Sequence, residues 1–333
     1  MVQNSEEIWN EILNNQSREL IGTNEPNNGN GYHDGISWRI PFRPHMNFDD
    51  DFHGSTFYSI YLRDLGLHVD PSLSKKEKFE TGFSIENSSK NYLNTFIKYF
   101  TANNYHYRSG NILRKLGEWG KSLCYDGRLI FEIIGWYDNN SNQFYAFQLN
   151  HLNNNFCKVN NNTIVYNAPY KLEGNKELYK KVKIPKSKCV IIEFPCELGG
   201  YKGYSRKVKA IKKLGSKFSY SENPGSNLNH MKNWDKQFNR IVSDWGASNK
   251  IEDVTEFYQE LSALRFSYTG ICCMHEVING LNQLIEYLNS KLKENARVDF
   301  NIPIYDKENF KENQNKWLNG ELSFKEANEL IRI

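Results

Sequence analysis

What the chain lacks narrows it first. Its 6 cysteines, Cys124, Cys157, Cys189, Cys196, Cys272 and Cys273, form no C-x-x-C pair. That spacing matches neither a zinc framework nor the disulfide pattern of a small secreted domain, so a reducing compartment is expected. No apolar run approaches the roughly 18 residues of a membrane span. The N-terminal stretch MVQNSEEIWNEIL is acidic and amphipathic, unlike a signal peptide. The phosphate-loop signature G-x-x-x-x-G-K-[ST] is missing, as are G-x-G-x-x-G and the nucleophile elbow G-x-S-x-G. A strong charge of one sign is missing too, since 42 Lys and Arg against 39 Asp and Glu leave a net +3. Any cationic function has to be local.

What is there suits a folded protein. The 333 residues are enough for one large domain or two ordinary ones. A chain of this length buries roughly three quarters of its unfolded surface, so it needs no covalent staple. An aromatic content of 14% argues against wholesale disorder.

Taken in order, Glu6 to Leu13 reads as a short helix, and residues 14–56, rich in Asn, Gly, Pro and Asp, as an extended arm and loops. Such an arm needs a surface to lie on, for which a neighbouring subunit is one choice. Phe57 to Leu65 is ambiguous between strand and helix. Asn91 to Thr101 and Asn111 to Tyr125 read as helices, the second ending at the turn pair Asp126-Gly127. The period then becomes two: Arg128 to Tyr137 is a strand bulky on both faces, hence covered on both. Asp138 to Asn142 turns it into a partner strand, Gln143 to Leu149. Thr163 to Tyr166, Leu178 to Val182 and Cys189 to Phe194 are further short strands. Lys236 to Trp245 and Val254 to Tyr268 read as helices, Arg297 to Ile304 as a strand, and Asp306 to Leu318 and Ser323 to Ile331 as closing helices. Gly320 ends the first of these, and Ser323 to Glu326 is a capping box that opens the second. The fold class is α+β, in four segments: 1–56, 57–202, 203–250 and 251–333.

The segment GYSRKVKAIKKLGSKFS, Gly203 to Ser219, is the most informative. At about 100° per residue it has two opposed faces. Lys202, Arg206, Lys209, Lys213 and Lys217 form a cationic stripe. Tyr204, Val208, Ile211, Leu214 and Phe218 lie opposite. The stripe reads either as a solvated face or as a surface turned toward nucleic acid. A second pattern runs through Ile271, Met274, Ile278, Leu281, Ile285, Leu288 and Leu292, alternating spacings of three and four. It reads as a core helix of the chain's own fold or as a subunit contact.

Two places carry residue types suited to catalysis. His45, Asp49, Asp50, Asp51 and His53 are close enough in sequence to ligate a divalent metal and activate a water, although the spacing matches no zincin or EF-hand and a solvated acidic loop explains it as well. Cys272, Cys273 and His275 combine thiols with an imidazole, but sit inside the heptad pattern, where Cys is a small buried residue. Gly199-Gly200-Tyr201-Lys202-Gly203 precedes a helix without phosphate-loop spacing and reads as a strand-to-helix hinge.

The order of elements resembles that of portal proteins of tailed bacteriophages. The resemblance rests on the helix LRKLGEWGKSLCYDGR running into the strand LIFEIIGWY, the hairpin NQFYAFQLNHL, the strand KCVIIEFP, and a Gly/Tyr loop opening GYSRKVKAIKKL at Gly203 and Ser205. It extends to a strand with Arg297 and the closing WLNGELSFKEANEL, and covers roughly residues 90–333. It implies a mixed α/β wing over 57–202, two stem helices near 203–219 and 233–246 with a short clip between them, and C-terminal helices in a wing or crown region. It further implies a homo-oligomeric ring, usually of twelve copies, at one capsid vertex in the virion, assembled in the host cytoplasm. Implied partners are double-stranded DNA, the major capsid protein, the terminase and a neck or adaptor protein, with no membrane, no metal, no cofactor and no catalytic residue. The chain is short for this family, its clip is brief, and residues 14–56 match nothing in the pattern. Two alternatives stand beside this reading: a metal-dependent nuclease or phosphodiesterase built on the loop from His45 through Asp51 to His53, and another nucleic-acid-binding connector protein of the virion.

Overall fold

The computed structural model describes residues 31–33, 61, 64–66, 69, 82–100, 112–173, 176–216, 233, 236–247, 254–302 and 305–331. Its centre is strand β3, Arg128–Asp138, preceded by β1 (Gly31–His33) and β2 (Phe83–Glu86). Strand β3 pairs antiparallel with β4, Phe144–His151, through Phe131 to Tyr137. Its other edge is shared. The segment Arg128 to Glu132 takes β8, Cys189–Glu193, and the segment Trp136 to Asp138 takes β1. Residues 31–33 therefore lie on the chain's own sheet. The rest of the proposed arm, with the Glu6 to Leu13 helix, falls outside the described residues.

Both faces of β3 are buried, as its bulky pattern requires. Leu129 and Ile133 point into the main core, while Ile130, Ile134 and Trp136 point into two smaller clusters on the opposite face. Glu132 shares that second face at 1% exposure and accepts a hydrogen bond from Asn150 Nδ2 at 3.3 Å. A separate three-stranded sheet carries β5 (Cys157–Val159), β6 (Thr163–Glu173) and β7 (Lys176–Pro185), joined antiparallel in that order. The hairpin of β6 and β7 is longer than the two short strands expected there.

Helices whose bounds are described include α1 (Lys90–Phe100), α2 (Ile112–Asp126), α3 (Gly200–Ser216), α4 (Glu256–Leu292), α5 (Lys307–Leu318) and α6 (Phe324–Ile331). Asp306 caps α5 by accepting from the Glu308 and Asn309 N–H groups. The capping box before α6 forms as its pattern demands. Ser323 Oγ accepts from Glu326 N–H at 3.3 Å, and the Glu326 carboxylate takes the Ser323 N–H at 2.8 Å. Gly320 closes α5 at φ 74°.

Helix α4 corrects a reading of the sequence. The stretches read as Val254 to Tyr268 and Ile271 to Leu292 belong to one helix of 37 residues, which begins at Glu256 with Thr255 as its cap. Gly270 sits in its middle without breaking it. At Thr269 the hydroxyl Oγ1 lies 3.0 Å from both the Arg265 and the Trp245 carbonyls, which ties this turn of the helix to the neighbouring segment. Ile271, Met274, Ile278, Leu281, Ile285 and Leu288 are buried in the chain's own core, and Leu292 is half-buried at its rim. The heptad pattern is thus a core helix. It lies against β8 closely enough that a Cβ on Gly280 would come within 2.5 Å of Ile192 Cγ1. From the next turn Gln283 reaches across. Its Oε1 accepts from Ile191 N–H at 2.9 Å, and its Nε2 donates to Ile191 O at 3.0 Å. A side-chain amide thereby supplies the backbone partners that β8, at the sheet edge, lacks.

The remaining strand also departs from local reading. Strand β9, Arg297–Phe300, pairs antiparallel with β2, from Phe83 opposite Phe300 to Glu86 opposite Arg297. Buried side chains from Tyr61 to Ala327 form one continuous core that draws on residues 57–202 and 251–333 alike. Helix ends at residue 241 in the second stem segment, and 242–245 form a turn rather than the helix expected to Trp245.

That turn closes on Gly246, which has φ 77° and so occupies the left-handed region. A Cβ there would stand 2.1 Å from Ser262 O and 2.3 Å from Phe266 N, both backbone atoms of α4. Gly246→Ala is expected to destabilise the fold by about 3 kcal/mol or more, combining left-handed strain with overpacking. The measurement is the denaturant midpoint at unchanged slope; a shift under about 1 kcal/mol would contradict this contact.

Candidate nucleic-acid interface

The cationic helix begins at a constructed hinge. After β8, Pro195 leads into a 3-10 turn over Cys196–Leu198, and Gly199 and Gly200 follow at φ 97° and 59°. Few residues other than glycine tolerate such angles, so the pair turns the chain sharply from strand to helix. This confirms the hinge and starts α3 three residues before Gly203.

The apolar side of α3 is fixed by its neighbours. Tyr204, Ile211 and Leu214 are buried and Val208 packs on the same core; Phe218 is outside the described residues. The Tyr204 ring stacks on Trp245 at 5.8 Å and 21°, and meets Phe194 at 5.2 Å. Its hydroxyl serves the open C-terminal end of α2, shared between the carbonyls of Cys124, at 3.0 Å, and Tyr125. Directly beneath, Gly127 has φ 67°, and a Cβ there would lie 2.1 Å from the Tyr204 ring. Trp245 is fully buried and donates its Nε1–H to Leu198 O at 3.3 Å, in the turn that precedes the hinge.

With that side held, the stripe faces outward. Lys202, Arg206, Lys209 and Lys213 are all exposed, and Lys217 falls outside the described residues. Lys202, Arg206 and Lys209 make no ion pair with a described residue. The positive end of the helix dipole adds to the charge near Lys202. The helix also carries a lysine off the stripe. Lys207 Nζ donates to Ile241 O at 2.6 Å, pairs with Asp244, and sits 4.9 Å above the Trp245 ring. It serves packing, and a cavity of about 320 Å³ opens beside it, lined by Leu198, Gly203, Arg206, Ile241 and Asp244 among others.

A second polar cluster secures the hinge from the opposite direction. Glu197 accepts from the Tyr268 hydroxyl at 2.8 Å and pairs with Lys307. Partial burial works to raise the Glu197 carboxyl, but hydrogen bonds from Lys307, Cys272 and Tyr268 outweigh it and hold the group at about 2. Arg128 adds a third tie, with its guanidinium 3.6 Å over the Tyr201 ring and its Nε 3.2 Å from Glu193. Sequence reading missed Lys207, Glu197 and Arg128. Their partners lie tens of residues away, and no local pattern singles them out.

The two catalytic candidates fare differently. Cys272 and Cys273 are fully buried in α4, and burial pushes both thiols well above their ordinary range, so they stay protonated. His275 turns away to the Tyr305 carbonyl, with its Nε2 at 2.7 Å. This triplet is packing. His45, Asp49, Asp50, Asp51 and His53 lie outside the described residues. Among the described residues no group of three His, Cys, Asp or Glu is placed to hold a metal ion, and no helix is long and apolar enough to cross a membrane.

No protein-family model matches the chain, and no curated protein is significantly similar to it.

Two outcomes follow from this geometry. Removing the Tyr204 hydroxyl as Tyr204→Phe leaves buried carbonyls of α2 without their donor, and is expected to lower stability by about 1–2 kcal/mol, read from chemical denaturation. Glu197 has a folded value below that of the unfolded chain. Its contribution is therefore fully present above about 4.5 and is lost as pH falls toward about 2. Glu197→Gln is expected to flatten the acid limb of the stability curve across that window; an unchanged limb would show that the pairing adds nothing.

Proposed function

We propose that this chain is a portal-type protein of a tailed bacteriophage. In this reading its copies close into a ring, usually of twelve, at one capsid vertex, with double-stranded DNA passing through the centre. The major capsid protein, the terminase and a neck or adaptor protein dock around it. The molecule acts through shape and repetition.

The observation that carries the reading is the two-sidedness of α3. One side is bolted to the end of α2, to Phe194 and to Trp245, and the other holds exposed Lys202, Arg206, Lys209 and Lys213. A rotationally closed ring multiplies one stripe into a belt of charge. Such a belt contacts phosphates without reading bases. Lysines suit a moving duplex better than the rigid bidentate fork of arginine, and three of the four described stripe residues are lysines. The order of elements supports the same reading: helix α2 into β3, the hairpin with β4, then β8, hinge and α3, and finally β9, α5 and α6.

Negative-stain imaging and mass photometry of the purified protein test the assembly. Rings with a central hole wide enough for duplex DNA are expected. Monomers and dimers alone, at every salt and protein concentration, would end the proposal. The double charge reversal Lys209→Glu, Lys213→Glu tests the stripe. It is expected to lower the yield of packaged DNA by about tenfold or more, with an unchanged unfolding midpoint, because neither side chain is on the buried side. Unchanged packaging would reduce the stripe to a solvated face.

A further inference from the structure

Two unlike features of the described surface match each other. The first is a knob. Phe257, in the first turn of α4, is 54% exposed although one face of its ring stacks on Trp317 at 5.1 Å and 14°. Among the described residues, Leu318 and Leu330 are the other large apolar side chains left exposed, and neither carries a ring. Glu256 precedes Phe257, and Glu260 is its neighbour three residues on along the helix surface. Neither carboxylate forms an ion pair with a described residue. The second feature is a hole, the cavity of about 320 Å³ beside α3. Leu198, Gly203, Ala210 and Ile241 give it apolar walls. Of its charged groups, Lys207 and Asp244 answer each other, which leaves the exposed Arg206 uncommitted. Lys202, one turn earlier on α3, is likewise exposed and unpaired among the described residues.

We propose that Phe257 of one copy of this chain seats in this cavity of a second copy, with Glu256 and Glu260 against Lys202 and Arg206. The charges match in spacing as well as sign. Two carboxylates four residues apart on α4 meet two cations four residues apart on α3, each pair about 6 Å along its helix. The cavity has room for a phenyl ring. It suits a small polar ligand poorly, because such a ligand needs several converging polar groups and here one is uncommitted. An aromatic side chain and an arginine beside an apolar recess are the anchors on which protein interfaces centre. The contact joins unlike surfaces, α4 to α3, so it runs head to tail and generates a ring where the rotation closes. It rests on the ring reading given above and names the surfaces that hold neighbouring copies together. Lys209 and Lys213 are not among the cavity's lining residues and continue the stripe beyond it.

The test uses the full chain as Phe257→Ala, as Arg206→Glu, and as an equal mixture of the two, followed by mass photometry and sedimentation velocity across protein concentration. Each variant alone is expected to need about thirtyfold or more protein to assemble, as loss of an interface anchor requires. In the mixture the Phe257→Ala copy still offers a hole and the Arg206→Glu copy still offers a knob. One sound contact per pair remains, so dimers are expected that grow no further. Both side chains are exposed, so each variant should keep the circular-dichroism spectrum of the folded chain. Rings that form unchanged in both variants would overturn this contact and leave the ring reading standing. A wild-type chain that stays monomeric at every concentration would remove both. A loss confined to Arg206→Glu would assign the cavity to another occupant and overturn the contact, as would a mixture that yields no dimers. Open filaments that disappear in either variant, with dimers in the mixture, would uphold the contact and end the ring reading.

Discussion

Trp245 is where the fold is tied together. Its buried indole meets Phe194 just past the end of β8 and stacks on Tyr204 of α3. The indole N–H reaches Leu198 in the turn before the hinge, the backbone carbonyl receives Thr269 of α4, and Lys207 lies over the ring. Gly127 and Gly246 clear the space by omitting a side chain where a Cβ would collide. Aromatic groups that touch at angles and offsets gain more than their buried area alone supplies. A junction built from several of them resists sliding because it has one good arrangement. The direction of α3, and with it the direction of the cationic stripe, is set here.

Around that junction the charges divide by partner. Lys207, Lys307 and Arg128 are held by Asp244, Glu197 and Glu193, and each joins elements distant in sequence. Among the described residues Lys202, Arg206 and Lys209 on α3 have no such partner. A net charge of +3 conceals this division. An exposed pair adds little to stability, so the paired cations act mainly through geometry, and the unpaired ones keep their full potential for an outside anion.

Much of the fold was legible in the sequence. The two-sided pattern of α3 placed Tyr204, Ile211 and Leu214 inside and Lys202, Arg206, Lys209 and Lys213 outside. The bulky run Arg128 to Tyr137 marked a strand covered on both faces, and Ser323 to Glu326 marked a helix start. Strand β2 was passed over because four residues carry too little periodicity to stand out, and its partner β9 comes about two hundred residues later. Helix α4 was divided in two because Thr269 and Gly270 are weak helix formers; packing against Trp245 overrides that preference. Lys207 looked like any lysine of a basic helix, since its contact with Asp244 spans 37 residues.

The sequence alone determined most of the residues that form the helices and strands, and which side of each faces inward. Those properties follow from the fixed geometry of the backbone, which repeats every 3.6 residues in a helix and every two in a strand. Only the tertiary structure decided which cations are bound within the molecule and which stay open, that β8 takes its missing hydrogen bonds from Gln283, and that residues 57–202 and 251–333 share one core. These depend on which side chains meet across long stretches of chain, and that is settled by the packing of the whole molecule, in which one buried tryptophan sets the register.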